Sequence, residues 1–150
     1  MAIYRHRVRY HEADAQGFLF NSRYLELADV AMAEYFRALG WPYPQLIASG
    51  ADPSVVSAEL RYLRPARFED VLDLDVVCSS VGRSSFRLET VVRRGAEVIA
   101  ETALVYVNVD AESATARPLP DAVAAALRRQ LATTPGSDGR NTRPAADLLE

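Results

Sequence analysis

The chain has no lysine, a single cysteine and no long apolar run. Its 17 basic residues are all arginine, and with 20 acidic residues the formal net charge is −3, which argues against a nucleic-acid-binding protein. One cysteine, Cys78, excludes an intrachain disulfide and is typical of a reducing compartment, so we expect a cytoplasmic protein. Because no stretch of 18 apolar residues is present, we expect no membrane-spanning helix.

Several catalytic motifs are also missing. The chain has no Gly-x-Ser-x-Gly elbow, no Walker-type phosphate loop and no Gly-x-Gly-x-x-Gly segment. No histidine, cysteine or carboxylate spacing supports a zinc site, and we predict neither a metal nor a cofactor. An enzyme built on this chain would work with a carboxylate and backbone dipoles. That chemistry suits an activated substrate such as a thioester, whose sulfur leaves as a stable thiolate.

Hydrophobic periodicity divides the chain into a strand, a long helix, four more strands and a terminal helix. Alternation predicts a half-buried strand over residues 3–10, and helical spacing predicts a helix over about 22–39 that stops at Gly40. Residues 41–53 are rich in proline and glycine and are predicted to be loop. The remaining strands are expected at 54–64, 71–81, 84–93 and 97–109, with a hairpin at Arg94-Gly95, and the last helix at 120–132.

This element order predicts one α+β domain over residues 1–133, in which an antiparallel sheet packs on the long helix. The run 97–109 is apolar on nearly both faces, which is typical of a central strand. Residues 134–150 are polar and broken by proline and glycine, so we predict a disordered, dispensable tail. The sheet would otherwise expose an apolar face and edges, and a homo-oligomer is the simplest cover.

The segment between residues 9 and 24 carries the clearest indication of chemistry. Asp14 follows the first predicted strand and precedes a glycine and three apolar residues, a setting that removes a carboxylate partly from water. Asn21 and Ser22 are helix-capping residue types, and free N–H groups at a helix N-terminus bind developing negative charge. A purely structural turn aspartate fits the same spacing, so the residues alone leave both interpretations open.

The two histidines and the cysteine are assigned minor parts. His6 and His11 are five residues apart on the predicted strand, face opposite ways and cannot form a metal pair. His6 is interpreted as structural or exposed, whereas His11 is close enough to the Asp14 loop to be an alternative site residue. Cys78 lies on an apolar strand face and is interpreted as a buried, inert thiol.

Residues 10–24 contain the pattern Tyr10-x-x-x-Asp14-x-x-Gly17-x-x-Phe20-Asn21-x-x-Tyr24. This pattern resembles the signature of hot-dog-fold acyl-CoA thioesterases, in the 4-hydroxybenzoyl-CoA thioesterase-like branch. Residues 61–72, 107–110 and 117–120 are similar to further family landmarks, and the likeness covers about residues 3–132. It implies a five-stranded antiparallel sheet wrapped around one long central helix at about 22–39, in homodimers or homotetramers.

The same resemblance implies an acyl-CoA or acyl-carrier-protein thioesterase. The acid matching Asp14 would be the nucleophile or general base, and the backbone N–H of Asn21 would help to hold the thioester oxygen. Many relatives carry His or Tyr in place of Asn21, so the side chain's role is left open while the backbone donor is retained. Gly17, Phe20 and Tyr24 of the signature are predicted to contact substrate.

Two alternatives remain for the function. Hot-dog folds also host hydratases and dehydratases, which commonly place a histidine five residues after the acid, where this chain has Leu19. A protein that binds acyl thioesters without catalysis is the third possibility. It would leave the burial of Asp14 in an apolar loop uncompensated.

Arg83 is the predicted contact for the phosphates of CoA. It lies in a turn between two strands, after Gly82 and before two serines, and arginine favours bidentate phosphate contacts. The resemblance supports this choice, because CoA-using relatives carry basic residues in the same turn. A solvated turn arginine is the alternative interpretation, and the other candidate donors are Arg61, Arg64 and Arg67.

Overall fold

The computed structural model describes residues 2–131, and the predicted tail at 134–150 lies outside the described residues. In chain order the elements are β1 (Tyr4–Arg7), a 3₁₀ turn (Tyr10–Glu12), α1 (Arg23–Ala38), α2 (Tyr43–Ala48), β2 (Pro53–Tyr62), β3 (Val71–Val81), β4 (Ser85–Arg94), β5 (Glu97–Asp110), β6 (Thr115–Ala116) and α3 (Asp121–Leu131). No helix in this part of the chain combines the length and hydropathy needed to cross a membrane.

Five strands form a curled antiparallel sheet in the order β1-β3-β4-β5-β2, and the two-residue β6 pairs with β5 beside this path. The prediction that 97–109 is an internal strand is confirmed, because β5 pairs with both β4 and β2. The predicted hairpin is also present, with Gly95 at a φ of +61°. β2 ends the sheet, and no other described strand pairs with its outer side.

The two ends of the sheet are identified by residue pairs between β5 and β2. At the Asp14 end, Ala100 of β5 pairs with Tyr62 of β2; at the Asn108 end, Asn108 of β5 pairs with Pro53 of β2. Helix α1 contacts all five main strands through buried side chains at helical spacing: Tyr24, Leu27, Ala28, Ala31, Met32, Tyr35 and Phe36. Its first half packs with a cluster under the Asp14 end, and its second half with a larger cluster under the Asn108 end.

The segment 41–53, predicted as loop, contains α2, so that prediction was wrong. Pro44 lies in the first turn of α2, where a missing N–H breaks no helical hydrogen bond. Leu46 is fully buried and provides the tertiary contact that stabilises so short a helix. The described chain therefore has three helices, and α3 also packs on β3, so a single central helix is an incomplete description.

The first predicted strand is also shorter than expected. β1 ends at Arg7, and Tyr10, assigned to its inner face, is 85% exposed in the 3₁₀ turn. The reason is that the Arg9 N–H donates to the Glu12 carboxylate at 2.7 Å instead of to a neighbouring strand. His11 belongs to the same turn, so the argument that His6 and His11 face opposite sides of one strand does not apply.

Candidate active site

Asp14 lies in a tight hairpin between β1 and α1. Its N–H donates to the Phe18 carbonyl at 2.8 Å, and its carbonyl accepts the Gly17 N–H at 2.9 Å. Gly17 has a φ of +79°, a left-handed conformation that glycine adopts without steric penalty. Ala13 and Leu19 close the hairpin as an antiparallel bridge. Gly17 thus shapes the turn that presents Asp14.

The Asp14 carboxylate is anchored through one oxygen. Its Oδ1 accepts the N–H of Gln16 at 2.8 Å and the N–H of Phe18 at 3.2 Å. No hydrogen bond or ion pair from residues 2–131 reaches Oδ2. One oxygen is therefore fixed by the loop while the other is available to a substrate or a water molecule.

A cleft of about 360 Å³ opens beside this carboxylate. Three predicted site residues line it, namely Asp14, Asn21 and Tyr24. The opposite wall comes from the end of β2 and the connection to β3, including Tyr62, Leu63 and Arg64. The structure thus brings the acid, the helix start and the β2 end together in one copy of the chain.

The start of α1 differs from the predicted capping arrangement. Ser22 is the N-cap residue, but its hydroxyl makes no capping hydrogen bond. Its φ of −73° and ψ of −16° are helical, whereas a side-chain cap requires an extended N-cap. The chain turns instead through backbone bonds, with the Arg23 N–H donating to the Phe20 carbonyl at 2.9 Å.

Of the two backbone polar groups of Asn21, only the carbonyl has a hydrogen-bond partner among the described residues. The Tyr62 hydroxyl donates to the Asn21 carbonyl at 2.9 Å, which ties the helix start to the end of β2. No acceptor among the described residues takes the Asn21 N–H. This N–H is therefore a donor available beside the cleft. It belongs to the peptide between Phe20 and Asn21, whose carbonyl accepts the Arg23 N–H, while Tyr62 binds the following peptide.

Tyr24 and Tyr62 form the aromatic part of the cleft. Their rings meet edge to face with centroids 5.3 Å apart. Burial raises the pKa of Tyr24, although a hydrogen bond with the Ala66 backbone opposes this, so Tyr24 is a neutral wall. Tyr62 was not predicted as a site residue. The signal available in the sequence was the second family landmark at 61–72, which was used only to identify the family.

Gly17, Phe20 and Arg83, which were predicted to contact substrate, do not line the cleft in a single copy. Phe20 precedes Asn21 and is 45% exposed. Arg83 is exposed between β3 and β4 at the Asn108 end, where the neighbouring Ser84 carbonyl accepts the Asn108 N–H at 2.7 Å. Asn108 and Ala100 mark the two ends of the sheet and are about 26 Å apart along β5 at the usual rise of a strand.

Of the alternative phosphate donors, only Arg64 lines the cleft. Its Nε lies 3.1 Å from a Glu97 carboxylate oxygen, and its side chain is 63% exposed. The guanidinium of Arg67 lies over the Phe18 ring, 4.8 Å from the centroid, and so packs on the Asp14 hairpin. Arg61 faces Glu101 at 4.0 Å away from the cleft lining.

The remaining candidates have the structural surroundings expected of packing residues. His6 is buried and hydrogen-bonds to Glu12, while His11 is exposed and does not line the cleft. Cys78 is buried, which raises the pKa of its thiol to about 11 and confirms the inert interpretation. No group of three or more metal-ligating side chains occurs within residues 2–131.

A sequence model of the thioesterase-like superfamily matches residues 8–127. The chain belongs to the thioesterase-like superfamily. This confirms the family resemblance seen in the sequence, and structural neighbours of the hot-dog fold confirm the fold. At the family level the enzyme is a thioester hydrolase.

Three relatives illustrate the likeness. The acyl-CoA thioester hydrolase YbgC of Escherichia coli O157:H7 is 25% identical over 124 residues, which are 82% of this chain and 92% of the relative. The 1,4-dihydroxy-2-naphthoyl-CoA hydrolase of Nostoc punctiforme is 25% identical over 144 residues, 93% and 95% of the two chains. The solved gentisyl-coenzyme A thioesterase BH1999 superposes with a TM-score of 0.76 at 26% identity and covers 83% of this thioesterase and 98% of its own chain.

Proposed function

We propose that this thioesterase hydrolyses acyl-CoA thioesters at the Asp14 cleft. One observation carries the proposal: a carboxylate with a free oxygen at Asp14 and an unpartnered backbone N–H at Asn21 line the same cleft. These are the groups that attack on a thioester carbonyl requires. Two relatives and one solved structure are named for activity on CoA thioesters, which supports CoA over a carrier protein.

Asp14 can act in either of two ways. As general base, it takes a proton from water while the water oxygen attacks the carbonyl carbon. As nucleophile, its free oxygen attacks that carbon and forms an anhydride, which water then hydrolyses. In both routes the carbonyl oxygen gains negative charge and accepts the Asn21 N–H. In the general-base route the C–S bond then breaks, the thiolate takes up the proton held by Asp14, and the acid is released. In the nucleophilic route the thiolate leaves as the anhydride forms; hydrolysis of the anhydride by water then releases the acid, regenerates the Asp14 carboxylate and supplies the proton that the thiolate takes up.

Asp14→Asn tests this proposal, because it keeps the shape and removes the charge. We expect kcat to fall by at least about 10²-fold, the scale of a lost general base, with the protein folded. Asp110→Asn is a matched control. Asp110 accepts the N–H groups of Glu112 and Ser113 in the same kind of turn, outside the cleft, and its change should leave kcat near the wild-type value.

Free-thiol detection during acyl-CoA turnover separates the candidate functions. A thioesterase releases one thiol for each acid, whereas a hydratase or dehydratase leaves the C–S bond intact and a binding protein turns nothing over. Leu19, where hydratases of this fold commonly have a histidine, is a core residue with 4% exposure. Near-normal thiol release by folded Asp14→Asn would refute the assigned role of Asp14.

The exposed edge of β2 supports a homodimer, either alone or within a dimer of dimers. β2 is ten residues long and exposed over most of its length, with Val56 59% exposed. An unpaired edge strand of this length is open to pairing with another strand, and a two-fold axis would pair it with its own copy. Sedimentation at micromolar concentration should give a dimer or tetramer, and a stable monomer would contradict the assembly.

Such a dimer would supply Arg83 in trans. Antiparallel pairing of two β2 strands sets the Tyr62 end of one copy beside the Pro53 end of the other. The turn carrying Arg83 belongs to the Pro53 end, since Pro53 pairs with Asn108 and Asn108 bonds to the turn. Arg83 of a second copy would therefore lie beside the first copy's cleft. The phosphates of a bound CoA would project from the cleft on that side.

Arg117 adds to the positive charge of that surface. The backbone N–H of Arg117 donates to the Asn108 carbonyl at 2.9 Å. Two residues later, the backbone N–H of Leu119 donates to the Arg83 carbonyl at 2.9 Å. The Arg117 Nε is buried and has no acceptor among the described residues. Two arginines held by one backbone network favour a doubly charged phosphate.

Arg83→Ala should raise KM for acyl-CoA several-fold and leave hydrolysis of a short acyl-pantetheine thioester unchanged, because that substrate lacks the nucleotide phosphates. Arg37→Ala, at the end of α1, is the control for a lost surface arginine. Equal losses on both substrates would assign Arg83 to the fold or the chemistry. Unchanged kinetics on both would move the phosphate site elsewhere.

A mixed dimer distinguishes action in trans from action in cis. One copy carries Asp14→Asn and the other carries Arg83→Ala. If Arg83 acts in trans, the site with an intact Asp14 receives an intact Arg83, and the mixed dimer shows half the turnover with a wild-type KM. A KM raised to that of Arg83→Ala would show that the two residues act within one copy.

A further inference from the structure

A buried ionisable pair lies directly behind the Asp14 hairpin and takes no part in the chemistry proposed above. The Nε2 of His6 and the Oε1 of Glu12 are 2.8 Å apart, and both side chains are more than nine-tenths buried. The Tyr4 hydroxyl approaches the other ring nitrogen of His6 at 3.2 Å. Burial of two ionisable groups beside a cleft is costly unless they are paired and hydrogen-bonded, and here both conditions are met.

Glu12 connects three segments of the chain. Its carboxylate accepts the Arg9 N–H at 2.7 Å and the His6 ring N–H, which fixes it to β1. Its backbone carbonyl accepts the Phe20 N–H at 2.9 Å, which closes the base of the Asp14 hairpin. Glu12 is two residues before Asp14, and its partner Phe20 is one residue before Asn21. The residue thus holds both strands of the hairpin at their common base.

We propose that Glu12, held in place by His6, is a positioning residue that sets the distance between the Asp14 carboxylate and the Asn21 N–H. The inference rests on the proposed function, because it assigns Glu12 a part in aligning those two groups. A base and an oxyanion donor must be held within about 0.5 Å of their productive geometry. A displacement of about 1 Å lowers turnover by about 10²-fold.

The protonation states follow from the hydrogen bonds. Burial by itself would raise the pKa of Glu12, but the Arg9 N–H and the His6 ring oppose this and hold the pKa below its ordinary value. Glu12 is therefore an acceptor at neutral pH, and the His6 nitrogen that faces it carries the proton. The Tyr4 hydroxyl can then donate to the other ring nitrogen of His6. Each group in this series of hydrogen bonds, from the Tyr4 hydroxyl through His6 and Glu12 to the Arg9 N–H, therefore has a partner.

Two pairs of substitutions separate positioning from simple stabilisation. Glu12→Leu removes the acceptor, whereas Glu12→Gln keeps an oxygen that can accept both N–H groups. His6→Leu removes the donor, whereas His6→Gln places an amide N–H near the position of Nε2. We expect each Leu variant to lose about tenfold or more in kcat for acyl-CoA hydrolysis with KM within about twofold. Each Gln variant should stay within about threefold of the wild-type kcat.

The matched control is Val123→Ala, which weakens the core under the Asn108 end without touching the hairpin. It should lower the melting temperature and leave kcat unchanged below the transition. Wild-type kcat in the folded Leu variants, or equal losses in the Leu and Gln variants, would overturn the inference. If Glu12→Leu does not fold, the His6 pair decides, since those changes leave the Glu12 bond to Arg9 in place.

Asp14→Asn, assayed in parallel, separates this inference from the proposed function. Inactive Asp14→Asn together with active Leu variants would refute the positioning role alone. Active Asp14→Asn would refute the role of Asp14, and with it the alignment that Glu12 is inferred to maintain.

Discussion

The two ends of the sheet join buried chain segments by different chemistry. At the Asn108 end the connection is a neutral amide: Asn108 is fully buried, its Oδ1 accepts the Asp52 N–H at 2.8 Å, and its Nδ2 donates to the Gly50 and Pro118 carbonyls at 3.0 Å each. At the Asp14 end the connections involve carboxylates, Glu12 with the His6 ring and Asp70 with the Arg94 guanidinium. The Asn108 side chain makes its three contacts without an ionisable group, whereas the contacts at the end that holds the cleft depend on carboxylates.

The packing differs in the same way. Under the Asn108 end Phe36 meets Phe86 edge to face, with ring centroids 5.4 Å apart, and Phe86 stacks on Tyr106 at 5.1 Å. Under the Asp14 end the cluster is mostly aliphatic, and its edge is the cleft. The larger of the two core clusters and the cleft therefore lie at opposite ends of one sheet, with α1 spanning both.

The largest effect on stability is expected from Asn108→Asp, which puts a charge into the neutral end. The new carboxylate would face the Gly50 and Pro118 carbonyls with no donor to offer them, and its folded pKa would lie above the unfolded value. We expect a loss of about 3–5 kcal/mol in the free energy of unfolding at pH 7. The part of this loss that comes from the charge shrinks as the pH falls through the raised folded pKa and is largely gone near the unfolded value of about 4. Urea unfolding at pH 7 and pH 4 measures it; a pH-independent loss would contradict the argument.

Asp70→Asn is the opposite change at the Asp14 end. Burial tends to raise the pKa of Asp70, but the Arg67 N–H at 2.8 Å and the Arg94 guanidinium at 2.7 Å hold it below its ordinary value. The stabilisation is therefore fully present above the unfolded pKa and is lost as the pH falls through the folded pKa. We expect Asp70→Asn to cost about 1–2 kcal/mol at pH 7 and progressively less as the pH falls from about 4 towards 2.

Urea unfolding of the wild type and of Asp70→Asn, measured at several pH values from 7 to 2, tests the prediction. Asp73→Asn is its control, because Asp73 pairs with Arg5, whose side chain is 71% exposed, and such pairs contribute little. Parallel stability curves for the wild type and Asp70→Asn would show that the charge of Asp70 does not hold this end together.

The smallest effect concerns backbone strain, which the two ends share. Glu69, in the connection between β2 and β3 at the Asp14 end, has a φ of +74°. Ala114, in the turn after β5 at the Asn108 end, has a φ of +54°. Glycine relieves such strain, so Glu69→Gly and Ala114→Gly should each raise the free energy of unfolding by about 0.5–1 kcal/mol. Thermal unfolding measures both. A loss at either position would mean that its side chain contributes more than its conformation costs.

Much of the fold could be predicted because it follows from local pattern. The alternation of β3 predicted its bounds at 71–81, and Gly40 and Gly95 predicted the end of α1 and the β4–β5 turn. The segments that were mispredicted depend on distant partners. α2 forms because Leu46 reaches the core, and β1 stops early because a glutamate three residues on takes the Arg9 N–H.

The candidate site likewise combines residues that a local pattern predicts with residues that only distant contacts bring to it. The family could be recognised from the amino-acid order, through a signature that runs from Tyr10 to Tyr24, because those residues are neighbours along the chain. Only the tertiary structure decided what faces them: the hydroxyl of Tyr62 on the Asn21 carbonyl, the buried His6–Glu12 pair behind the hairpin, and the distance that separates Arg83 from the cleft within one copy. Contacts between segments far apart in sequence are set by sheet register and packing, and no local pattern records them.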